Sequence, residues 1–289
     1  MGNNLTLYFN SRNYNVTILT RNKQKVKYDF VKIYQNIDEI QSHYKIDAII
    51  NLAGSPINKR WNKSYKQELV NSRINVTNSI YNLINRLKIK PKTVISASAI
   101  GYYGNSGDKI LDERSEATNG FTHYLCSLWE QEALKIINLG VNVKIIRLGI
   151  VLGLNGGIIK QTKLPFQMGL GGKIASGKQY MSWVHIEDVM RAIDFLLLND
   201  GSTKKNNKNI YNLTSPNPIT NSEWTENLSS VLNTPSFFNL PRVIVKFIFG
   251  EMAEYLLLNG QIVLPKALQE SGFKFKYTKI KDALSDILN

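Results

Sequence analysis

The chain has 289 residues, of which 43% are hydrophobic and 20% charged, so disorder along its whole length is excluded and one large α/β domain, alone or with a small companion, is the natural scale. Lys and Arg number 36 against 22 Asp and Glu, a formal charge of +14. One cysteine, Cys126, excludes a disulfide framework and multi-cysteine zinc sites, and His43, His123 and His185 stand too far apart for ligand spacing, so no metal is expected.

The lysines are spread along the sequence among many asparagines, which reads as background composition rather than as a nucleic-acid surface. The densest run, Lys204-Lys205-Asn206-Asn207-Lys208, reads as a solvated loop tip. Residues 243–258 form the most apolar late stretch, but Lys246, Glu251 and Glu254 interrupt it, so it does not read as a membrane span. The first residues lack the pattern of a secretory signal. The expectation is a cytoplasmic protein with a small-molecule substrate and neither nucleic acid nor membrane as partner.

Apolar runs alternate with helical patterns, which predicts a largely parallel α/β sheet. Residues 16–19, 48–52, 93–97 and 143–148 read as strands rich in Val, Ile and Leu, as expected for strands covered on both faces. Helices are predicted over 63–87, 124–139 and 186–198, with Gly140 closing the second. After Asn217-Pro218 the pattern becomes mostly helical: one helix near 222–232, then one from Leu240-Pro241 through Tyr255.

Strand ends carry the candidate chemistry, because ligands of doubly wound sheets bind beyond the carboxyl ends of the strands. Thr20-Arg21 ends the first predicted strand, where an arginine suits the 2′-phosphate of NADP; a surface loop arginine is the plainer reading. Asn51-Leu52-Ala53-Gly54 ends the second, either to let a ligand approach the backbone or to make a tight turn. Ser96-Ala97-Ser98-Ala99-Ile100-Gly101-Tyr102-Tyr103-Gly104 ends the third, with hydroxyls where a substrate carbonyl could sit or aromatics packed under a loop.

Together with Lys59-Arg60-Trp61, Ser72-Arg73-Ile74, Trp129-Glu130, Gly149-Ile150-Val151-Leu152-Gly153, Leu170-Gly171-Gly172-Lys173 and Ser182-Trp183-Val184-His185-Ile186-Glu187-Asp188, these motifs resemble an atypical extended short-chain dehydrogenase/reductase of the NAD-dependent epimerase-like family. Leu264-Pro265 and Gly272-Phe273 resemble that family's C-terminal domain of unknown function. The resemblance implies a Rossmann-type doubly wound parallel sheet over residues 1–220 and a small, mostly helical C-terminal domain over 235–288. It implies NADP(H) as cofactor, with Thr20 and Arg21 at the 2′-phosphate, Leu52, Ala53 and Gly54 along the adenosine-pyrophosphate path, Glu68 and Arg73 as further contacts, and Val151 near the nicotinamide. The Trp183-Val184-His185 segment is expected to be architectural.

Two departures from the family pattern stand out. Gly2 lies fourteen residues before Val16, the place of the last glycine of the family's Gly-x-x-Gly-x-x-Gly fingerprint. The first strand and first two glycines are therefore expected to be missing, which would split the sheet. Secondly, the family's Tyr-x-x-x-Lys pair falls on Tyr124 and Leu128, so the lysine is absent. Ser98, Tyr102 and Tyr103 are then the candidate catalytic hydroxyls. The expected function is an NADP(H)-binding oxidoreductase or nucleotide-sugar-epimerase-like enzyme of unknown substrate. The alternatives are an NADPH-binding sensor without turnover and, on net charge alone, a nucleic-acid binder.

Overall fold

Residues 93–98, which end in Ser-Ala-Ser, are all buried, and a strand hidden on both faces by helices is the form that such a run of small and β-branched residues takes. The computed structural model describes residues 1–26, 28–154, 156–199 and 209–288. Residues 204–208, the predicted loop tip, lie outside the described residues. In chain order the elements are α1 (Gly2–Asn10), β1 (Thr17–Leu19), β2 (Lys32–Tyr34), β3 (Ala48–Asn51), α2 (Lys63–Arg86), β4 (Thr93–Ala99), β5 (Ile110–Leu111), α3 (Phe121–Leu134), β6 (Asn142–Leu148), β7 (Ile150–Leu152) and α4 (Gly157–Gln167). Then come β8 (Tyr180–Met181), β9 (Trp183–His185), α5 (Ile186–Leu198), β10 (Ile210–Leu213), β11 (Ile219–Thr220), α6 (Asn221–Leu232), α7 (Arg242–Phe249), α8 (Glu251–Leu256), β12 (Ile262–Val263), α9 (Lys266–Glu270) and α10 (Ile280–Leu288).

The central sheet is parallel throughout, in the order β10-β6-β4-β3, with Ser98 beside Arg147 and Asn51 beside Ser96. This is the parallel α/β sheet that the sequence pattern predicts and the Rossmann-type arrangement that the resemblance implies. β1 and β2 form a separate parallel ribbon, and among the described residues no strand pairing joins it to β3. α1 and α5 pack with β4 and β6 in the largest core cluster, around Phe9, Ile95, Ile146 and Val189. Asp194 of α5 anchors the N-terminal segment, accepting hydrogen bonds from Tyr8, Tyr14 and Arg12. On the other face, Ile80 and Ile84 of α2 meet Ala133 of α3 over Val94 and Val143.

The C-terminal segment is laid back onto this body. β12 pairs with β5, Phe273 enters the central core, and α10 packs with α6 around Trp183, Trp224 and Leu284. The single helix predicted through Tyr255 is two, α7 and α8, because Gly250 turns the chain at φ +61°. The Trp183-Val184-His185 segment is buried as β9, and His185 caps α5 by accepting from the Glu187 amide at 3.2 Å.

Candidate functional site

The loop after β3 is shaped by its own side chains. Asn51 accepts from the Ala53 amide at 3.1 Å and donates to Thr77 of α2, bending the chain as soon as the strand ends. Ser55 donates to Glu68 at 2.8 Å, and its amide donates to Ser72. Glu68 is therefore spent on holding the loop. Arg73 lies beneath: its guanidinium donates to the Leu69 and Ser55 carbonyls and stacks 5.0 Å from the Trp129 ring centroid. A Cβ on Gly54 would stand 3.0 Å from Arg73 Cζ, so glycine is what lets loop and guanidinium approach. Arg73 is buried, and among the described residues no carboxylate forms an ion pair with it; burial lowers its pKa.

Next to Arg73, burial foremost and the Glu130 charge second push the Cys126 thiol up to about 11, so it is protonated at neutral pH. Beyond it lies a dry polar network at the end of β4. Ser98 donates to Glu130 at 2.6 Å; Arg147 grips the same carboxylate through Nε and Nη2, both at 2.8 Å, and donates through Nη1 to Tyr103 at 3.0 Å. Tyr103 donates to Asn212 at 2.8 Å. Burial, partly offset by Arg147, pushes the Tyr103 phenol up to about 12. Burial pulls the Arg147 guanidinium down, but the hydrogen bonds and charge of Glu130 outweigh it and its pKa is raised.

This geometry separates the three candidate hydroxyls. Ser98 and Tyr103 are buried and committed to the network rather than turned toward a substrate, because the Arg147–Glu130 pair needs neutral partners to be satisfied inside the protein. Tyr102 is half-buried, with the Arg147 Cζ 3.4 Å from its ring centroid. His123, a residue that spacing did not single out, packs edge-on to Tyr102 at 5.0 Å and reaches the Tyr102 carbonyl at 2.6 Å through Nδ1. Tyr124 is 55% exposed on α3. The network residues Glu130 and Arg147 carry one legible signal, charge at buried positions: Glu130 lies on the buried stripe of α3 with Cys126, Trp129 and Ala133, and Arg147 in the buried run of β6.

The remaining candidates lie apart. Thr20 donates its amide to the Tyr34 carbonyl, and Arg21 lines an open depression of about 780 Å³ with Lys23, Gln24, Tyr28, Asp29 and Gln35. Gly2 opens α1, whose first turn has no side-chain cap; such a free helix start suits an anion. Val151 is half-buried against the central core. The structure thus brings Arg73 and Ser98 to Cys126, with Gly54 against Arg73, and sets Arg21 apart, in the depression beyond the end of β1. Among the described residues no group of His, Cys, Asp or Glu could hold a metal, and no helix is long and apolar enough to cross a membrane.

Residues 1–214 match the model of the NAD dependent epimerase/dehydratase family, and residues 240–287 match a domain of unknown function, DUF1731. The chain is 37% identical to the Arabidopsis thaliana protein described as "Epimerase family protein SDR39U1 homolog, chloroplastic", over all of this chain and 84% of that one. It is 33% identical to "Epimerase family protein YfhF" of Bacillus subtilis, over 100% of this chain and 94% of that one. Among solved structures, the human epimerase family protein SDR39U1 (isoform 2), crystallised with NADPH, superposes with a TM-score of 0.88 at 28% identity, over 99% of this chain and 95% of that one.

Proposed function

The chain belongs to the NAD dependent epimerase/dehydratase family, and from that premise we propose that it binds NADP(H) and acts as an oxidoreductase or nucleotide-sugar-epimerase-like enzyme on a small molecule. The observation that carries the cofactor choice is Arg21: it ends β1 and opens onto the 780 Å³ depression, where NAD-preferring sites place an acid for the ribose hydroxyl. A guanidinium there matches a 2′-phosphate in charge and fork geometry, and Lys23 adds a second cation. The residues fit the rest of a dinucleotide as well. The close-approach loop Leu52-Ala53-Gly54 would line the adenosine-pyrophosphate path, Arg73 beneath it supplies a buried cation without a carboxylate, and the uncapped start of α1 at Gly2 offers amide donors. The human relative's NADPH supports the same reading.

NADPH when bound supplies a hydride. In this reading Ser98 and Tyr103 act by holding Arg147 and Glu130, and Arg147 in turn fixes the Tyr102 ring. Tyr102 is then the phenol best placed to donate or take a proton at the substrate. The second reading, cofactor binding without turnover, draws on the same burial of Ser98 and Tyr103 and on Leu128 in the place of the activating lysine. Titrating NADPH and NADH separately against tryptophan fluorescence tests the proposal, with NADPH expected to bind about 10- to 150-fold tighter, the worth of one charge-assisted contact. Equal affinities would remove the argument for NADP.

A further inference from the structure

Among the described residues twenty large apolar side chains are exposed, and a cluster of them lies in two adjoining segments: the C-terminal end of α4 with the turn after it, and the strap leading into α7 with α7 itself. Phe237 is 87% exposed, Phe247 81% and Val243 77%; Met168, Leu164 and Phe238 follow between 58% and 65%. The segments touch. The Phe238 amide donates to the Gly171 carbonyl, the Leu240 amide to the Lys173 carbonyl, and Ala175 returns a bond to Leu240. A Cβ on Gly172 would fall on the Phe238 carbonyl, so the strap lies flat against the α4 turn. Helical spacing lines up the groups: Lys160 and Leu164 form one row on α4, with Met168 at its C-cap, and Val243 and Phe247 form one row on α7. Of the eight residues of α7 only Val245 is buried. A helix apolar on nearly every side belongs in a core or in lipid, and this one is on the surface.

Charge decides what covers it. Residues 157–178 contain Lys160, Lys163, Lys173 and Lys178 and no Asp or Glu; residues 233–249 contain Arg242 and Lys246 and again no acid. Arg242 and Lys246 both bond Glu254, but among the described ion pairs the four lysines of the first segment have no partner. A second copy of this face would set like charges against each other. An anionic lipid surface takes both features at once, apolar side chains below the headgroups and lysines among them. We propose that the surface formed by the α4 turn, the 235–240 strap and α7 seats the protein peripherally on anionic membranes. The absence of a spanning segment, from which no membrane partner is expected, does not bear on such a surface.

Co-sedimentation with vesicles of phosphatidylcholine, alone or mixed with phosphatidylglycerol, reads the proposal. Binding is expected only to the mixed vesicles. It should fall at least about tenfold in the double variant F237S/F247S, and more modestly, with a shallower salt dependence, in K160Q/K163Q. Both phenylalanines are more than four-fifths exposed, so the melting curve should not move. In F247W the indole emission should shift blue on the mixed vesicles and be quenched by brominated acyl chains. No binding to either vesicle overturns the proposal, as does equal binding to both or binding indifferent to F237S/F247S. A dimer in sedimentation velocity that F237S/F247S dissociates would give the face to a second copy instead.

Discussion

The central sheet and the β1–β2 ribbon are built with the same parallel pairing and live in opposite surroundings. In β4 six of seven residues are buried, whereas β1 has none buried and exposes Leu19 at 42%. The charges follow the same division. Under β4, Arg147 and Glu130 are dry and fully partnered; at the end of β1, Arg21 is exposed and lines an open depression. A dry pair contributes to folding and is unavailable to a ligand, while a wet cation contributes little to folding and remains available. Substitutions in the two regions should therefore move different observables.

The largest effect belongs to Glu130→Gln. It leaves the Arg147 charge buried beside a neutral amide that keeps one of the two acceptor oxygens, so that either Arg147 Nη2 or the pair of Ser98 and Arg147 Nε loses its acceptor, and urea unfolding should show a loss of about 3–5 kcal/mol. An unchanged midpoint would mean that water reaches the pair. Arg21→Ala comes next and reads the other region. NADPH affinity should fall about 10- to 150-fold, NADH affinity should hold, and the unfolding free energy from urea should stay within about 0.5 kcal/mol. Equal losses for both cofactors would place Arg21 away from the 2′-phosphate.

Legibility in the sequence follows the apolar run rather than that division, since Val16-Thr17-Ile18-Leu19 reads as a strand although β1 is exposed. β3, β4 and β6 announce themselves because strands covered on both faces must be continuously apolar, and α2, α5 and α6 because their periodicity is long. β2 and β10 do not, since Lys32-Ile33-Tyr34 and Ile210-Tyr211-Asn212-Leu213 are short runs with polar members. The break between α7 and α8 hangs on one glycine inside an apolar run. At the site, the resemblance named Arg21, Gly54 and Arg73, and their loops are strand-end features that local sequence controls. It also offered Ser98 and Tyr103 as free hydroxyls. Their commitment to Glu130, 32 residues from Ser98, and to Asn212, 109 residues from Tyr103, is tertiary, and no local pattern carries it.

A smaller effect should come from His185. Burial lowers its pKa, against the opposing pull of Asp286, Asp188 and Glu187, while Lys276 reinforces the drop. The folded ring thus holds fewer protons than the unfolded one, so its contribution to stability is present above the unfolded value of about 6.5 and is lost as pH falls toward the folded value. Thermal or urea midpoints measured downward from pH 7 should decline with a slope from this group of at most about 1.4 kcal/mol per pH unit. His185→Asn keeps a side-chain cap for α5 and should flatten that part of the curve. A slope unchanged in the variant would assign the decline to other groups.

The last comparison sets Tyr124 of α3 against Tyr102, which follows the end of β4. Tyr124 is exposed on α3, with Leu128 one turn further on in place of a cation, so Tyr124→Phe changes an exposed side chain and should leave the unfolding midpoint where it is. If the chain turns over a substrate, kcat should stay within about a few-fold, whereas Tyr102→Phe should cost about 10²-fold or more, because general acid–base work needs the hydroxyl itself. Packing does not explain such a split: the Tyr102→Phe ring keeps its contact with Arg147 and its edge against His123. A large loss from Tyr124→Phe with none from Tyr102→Phe would return the chemistry to α3. If both variants bind NADPH as the wild type does, and no carbonyl or sugar-nucleotide substrate oxidises it in any of the three proteins, the reading without turnover replaces the enzymatic one.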